Sequence, residues 1–217
     1  MQAVPFFFDL SSPYSYLAWI SLMRRKEMLE ESGLVLKPIP VPMGSLISAY
    51  ETKGPAEIAP KREFLFREAL RQATRLKIPI NVPAKLPFNP LLLLRLSLVE
   101  VSEDNQEMLI TALFEGVWSD KIVMDDPEVV QDYLSQRFSS NFLEEAFEKA
   151  SGAIARKALK ENLKLALEKQ AFGVPTYFYQ DELFWGLDSL PSFFEKLAQK
   201  DLLDQEKYKE FLLRFPR

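Results

Sequence analysis

The chain has 217 residues, with 27 Lys and Arg against 31 Asp and Glu, a net charge of −4. It holds no Cys and no His, which excludes disulfides, iron–sulfur and zinc–thiolate sites, a protein-borne redox thiol, and Ser-His-Asp or Cys-His catalysis. The acidic balance argues against nucleic-acid binding through phosphate neutralisation, and 47% apolar residues in a chain of this length supply a substantial core.

Residues 1–10 lack a basic segment followed by a long apolar one, so no signal peptide is expected. The apolar run Leu91–Leu94 is broken by Arg95, so no membrane span is expected. The expectation is a soluble, cytoplasmic protein.

Val4 to Leu10 is a nearly continuous apolar run, the pattern of a strand buried on both faces. Ser12-Pro13 then starts a helix: Ser caps orphan N–H groups and Pro at the first helical position loses nothing. Tyr16, Ile20 and Met23 carry that helix to about Glu31, where Ser32-Gly33 stops it. Leu34 to Leu36 reads as a second strand, followed by an extended proline-rich segment to Pro42. The opening is a βαβ unit.

The middle of the chain is helical. Helices are expected over Ala56–Leu76, after Asn89-Pro90, over Glu107–Val117, after Asp126-Pro127, and over Asn141–Lys149 and Ala153–Ala171. From Phe172 strands return: Thr176–Tyr179 and Glu182–Trp185 form a hairpin across Gln180-Asp181. Asp188 then reads as the cap of a helix through Lys200, and a last helix spans Gln205–Phe215. An all-helical block is thus inserted into a small mixed sheet.

Three constellations carry possible chemistry. Ser12 sits where a buried strand meets a helix N-terminus, a place that favours anions. It is either a plain cap or a hydroxyl donor that keeps a visiting thiol in its anionic form. Pro175, in Gly173-Val174-Pro175-Thr176, is either an ordinary edge-strand proline or follows a cis bond that turns the neighbouring backbone towards a ligand. Asp188, after Trp185-Gly186-Leu187, either caps or holds a ligand ammonium group. The stripe Arg67, Arg71, Arg75 reads as a solvated face paired with Glu63 and Glu68, and Asp125-Asp126 as a helix start rather than a metal pair. No metal site is expected. Tyr14, Phe88, Trp118 and Trp185 are placed near an apolar cleft.

Phe6 to Ala18 (F-F-F-D-L-S-S-P-Y-S-Y-L-A), Pro55 to Arg62 (P-A-E-I-A-P-K-R), Phe172 to Phe178 (F-G-V-P-T-Y-F) and Glu182 to Asp188 (E-L-F-W-G-L-D) resemble the 2-hydroxychromene-2-carboxylate isomerases. That family is related to the kappa-class glutathione transferases and to disulfide-oxidase-type thioredoxin folds. The resemblance implies an α/β, thioredoxin-like βαβ–ββα domain (1–45 and 172–200), an inserted all-α domain (46–171), and a C-terminal helix (201–217). It implies glutathione as cofactor, a small-molecule substrate and a homodimer, with no nucleic-acid or membrane partner. Ser12 would stand in place of the first Cys of a redox motif and face the glutathione sulfur; Ser15 stands where the second would be. Val174 would bond the tripeptide backbone. Trp185, Gly186, Leu187 and Asp188 would line its γ-glutamyl end, and Lys61 would meet a carboxylate.

The substrate segment departs from relatives. Over Ile47–Thr52 the family's Lys is Ser48 and its Asn is Thr52, with Lys53 one residue on. The loop Asn is retained as Asn89, while the Arg that relatives carry after the Asp is Ser189. Tyr14, Thr52, Lys53 and Asn89 are the expected substrate contacts. The implied reaction is isomerisation of a conjugated aromatic carboxylate by reversible thiolate addition. The alternatives are a kappa-like transferase or peroxidase, and a non-catalytic glutathione-binding homologue.

Overall fold

The computed structural model describes residues 1–215; residues 216–217, the end of the expected C-terminal helical segment, lie outside the described residues. Strands β1 (Gln2–Phe8), β2 (Leu34–Pro40), β3 (Thr176–Tyr179) and β4 (Glu182–Trp185) form one sheet in the order β2-β1-β3-β4. β1 and β2 are parallel; β1–β3 and β3–β4 are antiparallel. Helices α1 (Pro13–Met23) and α2 (Lys26–Glu31) connect β1 to β2. Between β2 and β3 run α3 (Met43–Ala49), α4 (Ala59–Leu76), α5 (Leu91–Leu96), α6 (Val99–Ser102), α7 (Gln106–Trp118), α8 (Pro127–Ser135), α9 (Ser140–Ser151) and α10 (Ala153–Glu168). α11 (Leu190–Leu197) and α12 (Gln205–Arg214) follow the hairpin.

The apolar run of β1 is buried on both faces because strand side chains alternate. Phe6 and Phe8 join the main core with Trp19, Leu113 and Phe114, whereas Phe7 faces a second cluster with Ile39, Val41, Ala166 and Phe178. Phe8 meets Phe114 at 5.6 Å between ring centroids, and Trp19 Nε1 donates to Thr111 Oγ1 at 2.9 Å. Each fully buried Phe contributes roughly 1.5–3 kcal/mol, so this run anchors the sheet.

Two prolines fit inside β2 because it is an edge strand. Val41 N donates to Phe8 O at 2.9 Å, so the two-residue period turns Pro38 and Pro40 to the open side, where no ladder donor is needed. Their carbonyls accept from Gln106 (3.5 Å) and Asn162 (3.1 Å), which cover that edge. The hairpin turn Gln180-Asp181 has φ of 50° and 63°, the left-handed pair that joins twisted strands tightly.

Several expectations need correction. The helix expected from Pro13 to Glu31 is two helices. Arg24 leaves the first and donates to the carbonyls of Leu76 and Lys77 at the end of α4, so a tertiary contact overrides the apolar spacing. The helix expected from Ala56 starts at Ala59, after a 3-10 turn over Pro55–Glu57 and an extended Ile58. Helix α3 and the short α6 were not expected, and the helical block has more helices than the six read from periodicity. The helix expected from Asp188 to Lys200 begins at Leu190 and ends at Leu197, and the Asp188 side chain does not cap it. Asp126 does cap, accepting from Glu128 N at 3.0 Å.

Candidate functional site

Ser12 is the N-cap of α1, and its hydroxyl oxygen accepts from Ser15 N at 3.1 Å. A hydroxyl that accepts keeps its own proton to donate, and that proton has no acceptor among the described residues. Ser12 is 5% exposed, so only its edge reaches solvent. Ser15, one turn on, is fully buried, and its hydroxyl has no hydrogen-bond partner among the described residues.

The loop before α1 is held by a residue that the sequence reading did not single out. Asp9 is 1% exposed. Its Oδ1 accepts from Ser11 N (2.8 Å) and Ser11 Oγ (2.7 Å), and its Oδ2 accepts from Met43 N (2.8 Å) at the start of α3. Burial pushes its carboxyl above the ordinary value, against the downward pull of the Ser11 and Met43 hydrogen bonds. The one sequence signal was an acid directly after a continuous apolar run.

Phe7 pairs with Thr176 in the antiparallel β1–β3 ladder. That register sets the end of β1, which runs on into Ser12, beside Val174-Pro175 at the start of β3. The Val174–Pro175 bond is cis. The Val174 side chain packs into the second cluster, and the Leu187 side chain into the main core.

The Trp185–Asp188 loop is shaped by close contacts. Gly186 has φ +81°, where L side chains are strained, and an added Cβ would stand 2.5 Å from Asp188 Oδ1. Gly186 N donates to Pro175 O at 2.9 Å. Tyr177 Oη and Ser189 Oγ lie 2.8 Å apart, and both reach Gly186 O at 3.1 Å. Trp185 is half exposed and leans on Phe172, with ring centroids 5.1 Å apart. Asp188 is exposed. Burial pushes the Tyr14 phenol up, with the charges of Glu68 and then Asp188 adding to the rise.

Helix α4 closes this side. Tyr14 Oη donates to Leu65 O at 3.2 Å, and Lys61 lies one turn before Leu65 on the same helix, exposed. Glu68 accepts from Arg71 and Arg75 at 3.3 and 3.1 Å. Next to Ser12, Pro13 opens onto a cavity of about 300 Å³ lined also by Phe66, Ala69, Ile80, Leu86 and Trp118. Trp118 is fixed by its Nε1, which donates to Leu10 O at 2.8 Å.

The structure thus brings Ser12, Tyr14, Val174 and the Trp185–Asp188 loop to one end of the sheet. Thr52 and Lys53 lie exposed on the loop after α3. Asn89 is occupied in part as a cap, its Oδ1 accepting from Leu91 N at 3.1 Å. Of the four aromatics expected around a cleft, only Trp118 lines the cavity, while Phe88 packs on the main core.

The profile of the DSBA-like thioredoxin domain matches residues 3–198. The chain belongs to that family. This DSBA-like protein is 28% identical over 190 residues to a 2-hydroxychromene-2-carboxylate isomerase of Pseudomonas putida, covering 86% of this chain and 90% of the relative. It is 21% identical over 211 residues to glutathione S-transferase kappa 2 of Caenorhabditis elegans, covering 91% and 92%. A solved 2-hydroxychromene-2-carboxylate isomerase superposes with a TM-score of 0.76 at 25% identity, covering 91% of this chain and 95% of that one. The resemblance read from the motifs and the thioredoxin-like fold class are both borne out.

Proposed function

We propose that the chain is a glutathione-dependent isomerase of a conjugated aromatic substrate such as 2-hydroxychromene-2-carboxylate. The observation that carries this reading is the Ser12 hydroxyl. It sits at the N-terminus of an 11-residue helix, with no acceptor for its proton among the described residues, on the loop that follows β1, the strand paired with β3, in a chain without Cys or His. A sulfur nucleophile must then arrive with a ligand. The relatives named isomerase and glutathione transferase support glutathione as that ligand.

Ser12 would donate to the glutathione sulfur and, with the helix dipole, favour the thiolate over the thiol, whose ordinary pKa is about 8.5. Val174 would bond the tripeptide through its backbone. Trp185, Gly186 and Leu187 would line the γ-glutamyl end, with Asp188 on the ammonium group and Lys61 on a carboxylate. On the substrate side, Tyr14, Thr52 and Asn89 would be polar contacts, and Lys53 the cation for a carboxylate. The site would lie where the halves 1–45 and 172–200 meet the helical part 46–171.

The hemiketal ring of a substrate such as 2-hydroxychromene-2-carboxylate first opens, the C2–O bond breaking to return the phenol and free the ketone; the thiolate then adds to the carbon β to that carbonyl, forming a C–S bond while the C=C pair moves to the carbonyl oxygen as an enolate. The former double bond rotates. The enolate then re-forms C=C and expels the thiolate, so glutathione is regenerated. Positioning and stabilisation of charge supply the acceleration.

Isothermal titration with glutathione tests the first half, with binding expected at millimolar ligand and absence of heat overturning it. A kappa-like transferase or peroxidase is the second reading, favoured by the relative of that name. Catalytic glutathione that is not consumed during turnover marks the isomerase; steady adduct formation with chlorodinitrobenzene marks the transferase. Should Ser12→Ala alter glutathione affinity alone, the chain is a binding homologue.

A further inference from the structure

The family profile stops at residue 198, and the chain beyond it forms α12. Asp204 caps this helix, its Oδ1 accepting from Lys207 N at 3.0 Å. The segment before it is fastened to β4 by Lys196, which pairs with both Glu182 and Asp201. The helix itself has no buried residue. Its apolar side chains are nevertheless large: Tyr208, Phe211, Leu212 and Phe215 are all exposed, Phe211 by 65% and Phe215 by 74%. Scattered apolar side chains on a surface are ordinary, whereas a contiguous set marks a place where something docks.

Their spacing makes them contiguous. Tyr208, Phe211, Leu212 and Phe215 follow the i, i+3, i+4, i+7 pattern and so form one stripe along the helix. The charges are sorted around it. At about 3.6 residues per turn, Lys207 and Arg214 border the stripe on one side and Lys209 on the other, while Glu206 and Glu210 fall on the opposite face. Leu213 lies beyond Lys209, outside the stripe. Lys207 pairs with Asp204 at 3.0 Å, and Arg214 with Glu210 at 2.6 Å. Both pairs are exposed and open at little cost.

The borders decide what can cover the stripe. Against α12 of a second copy, parallel or antiparallel, the flanking cations would meet cations. An uncharged partner gains nothing from them. An anionic lipid surface does: the stripe sinks below the headgroups, the long Lys and Arg stems reach back up to acidic phosphates, and the two carboxylates stay on the water side. We infer that α12 lies flat on an anionic lipid surface and holds the chain there as a peripheral protein. No helix among the described residues is long and apolar enough to cross a membrane, so attachment is by this one face and is reversible. The expectation of no membrane partner was drawn from motifs that end at Asp188, short of this helix. The inference does not rest on the glutathione reading.

The test uses the full chain and co-sedimentation with vesicles of phosphatidylcholine, with or without about 30% phosphatidylglycerol. A single acyl chain gives a partition constant on the order of 10⁴ M⁻¹, and the stripe with its bordering cations should reach that range on the anionic vesicles. Binding to phosphatidylcholine alone should be at least about tenfold weaker, and salt at about 1 M should remove most of the difference. Phe211→Ser combined with Leu212→Ser should weaken binding to both vesicle types by at least about tenfold. Lys209→Glu should weaken only the anionic binding, again by about tenfold. These side chains are exposed, so Tm should stay within about 1 °C of the native value. Phe211→Trp adds a reporter whose emission should move to the blue on anionic vesicles, relative to the native chain.

No sedimentation with anionic vesicles, equal binding to the two vesicle types, or binding that survives loss of the stripe overturns the inference. So does a dimer in equilibrium sedimentation that the Phe211→Ser, Leu212→Ser chain no longer forms, because a second copy would then be what covers this face.

Discussion

Asp9 and Met43 lie 34 positions apart and are joined by a 2.8 Å hydrogen bond from the Met43 amide to Asp9 Oδ2, while Asp9 Oδ1 holds Ser11. One buried carboxylate thereby ties the end of β1, the loop that carries Ser12, and the first turn of α3. Replacing it by Ala leaves three half-buried donors, Ser11 N, Ser11 Oγ and Met43 N, without their acceptor. Each unmet buried partner costs about 1–3 kcal/mol, so Asp9→Ala should lower the unfolding free energy by about 3 kcal/mol or more, measured by urea denaturation. Asp9→Asn keeps one acceptor oxygen and should cost about half as much.

The same residue imposes a pH dependence. Burial raises its folded-state value above the ordinary one, so the unfolded chain releases this proton first as pH rises. Below about pH 4 both states hold the proton and the group is neutral in the balance. Above that, stability falls until pH passes the folded value. The advantage of the native chain over Asp9→Asn should therefore shrink as the pH rises above about 4. An advantage that stays constant, or grows, in urea titrations across that range contradicts this assignment.

Ser12→Ala removes both a cap and the hydroxyl assigned to the glutathione sulfur. Loss of the cap should cost about 1 kcal/mol, seen as a modest fall in Tm. Loss of the donor should lower kcat by about 100-fold and raise the pH at which bound glutathione gains thiolate absorbance near 240 nm. Ser12→Thr restores both. A Ser12→Ala chain with a lower Tm but an unshifted thiolate titration would make Ser12 a cap and nothing more.

The Trp185–Asp188 loop, proposed to line the γ-glutamyl end of glutathione, offers a pair of variants with opposite signatures. Asp188 is exposed and does not cap α11, so Asp188→Asn should leave Tm within about 1 °C while raising the KM for glutathione about tenfold. Tyr177 is fully buried and holds Gly186 O and Ser189 Oγ. Tyr177→Phe should therefore cost about 1–2 kcal/mol of stability and affect KM only through the loop's position. Thermal melts and initial rates on both variants check the split.

Gly186→Ala places a Cβ 2.5 Å from Asp188 Oδ1 on a backbone at φ +81°. The cost should be about 1–2 kcal/mol, and the displaced carboxylate should weaken glutathione binding as Asp188→Asn does. Calorimetric titration of the two variants side by side compares them; unchanged affinity in Gly186→Ala would mean that the loop does not present Asp188.

The residue order alone determined that no internal thiol or imidazole chemistry is available, because Cys and His are absent from the chain. It also determined which segments are strands and which are the main helices. The continuous run ending in Phe8 demands burial on both faces, Ser12-Pro13 and Asp126-Pro127 are local capping chemistry, and Gln180-Asp181 is a local turn. These signals act between near neighbours and are legible without partners. The break at Arg24 was not legible, since it depends on carbonyls some fifty positions away. The role of Asp9 was not legible either, because its third donor comes from α3, and Asp188 was misread as a cap because Asp favours caps wherever the backbone allows one. The tertiary structure alone decided that the end of β1 lies beside Val174-Pro175, that Leu187 and Val174 turn their side chains inward, and that an uncharged cavity opens next to Pro13. These outcomes follow from sheet register and from which charges find partners across the fold. Both are contacts between distant segments, and no local preference encodes them.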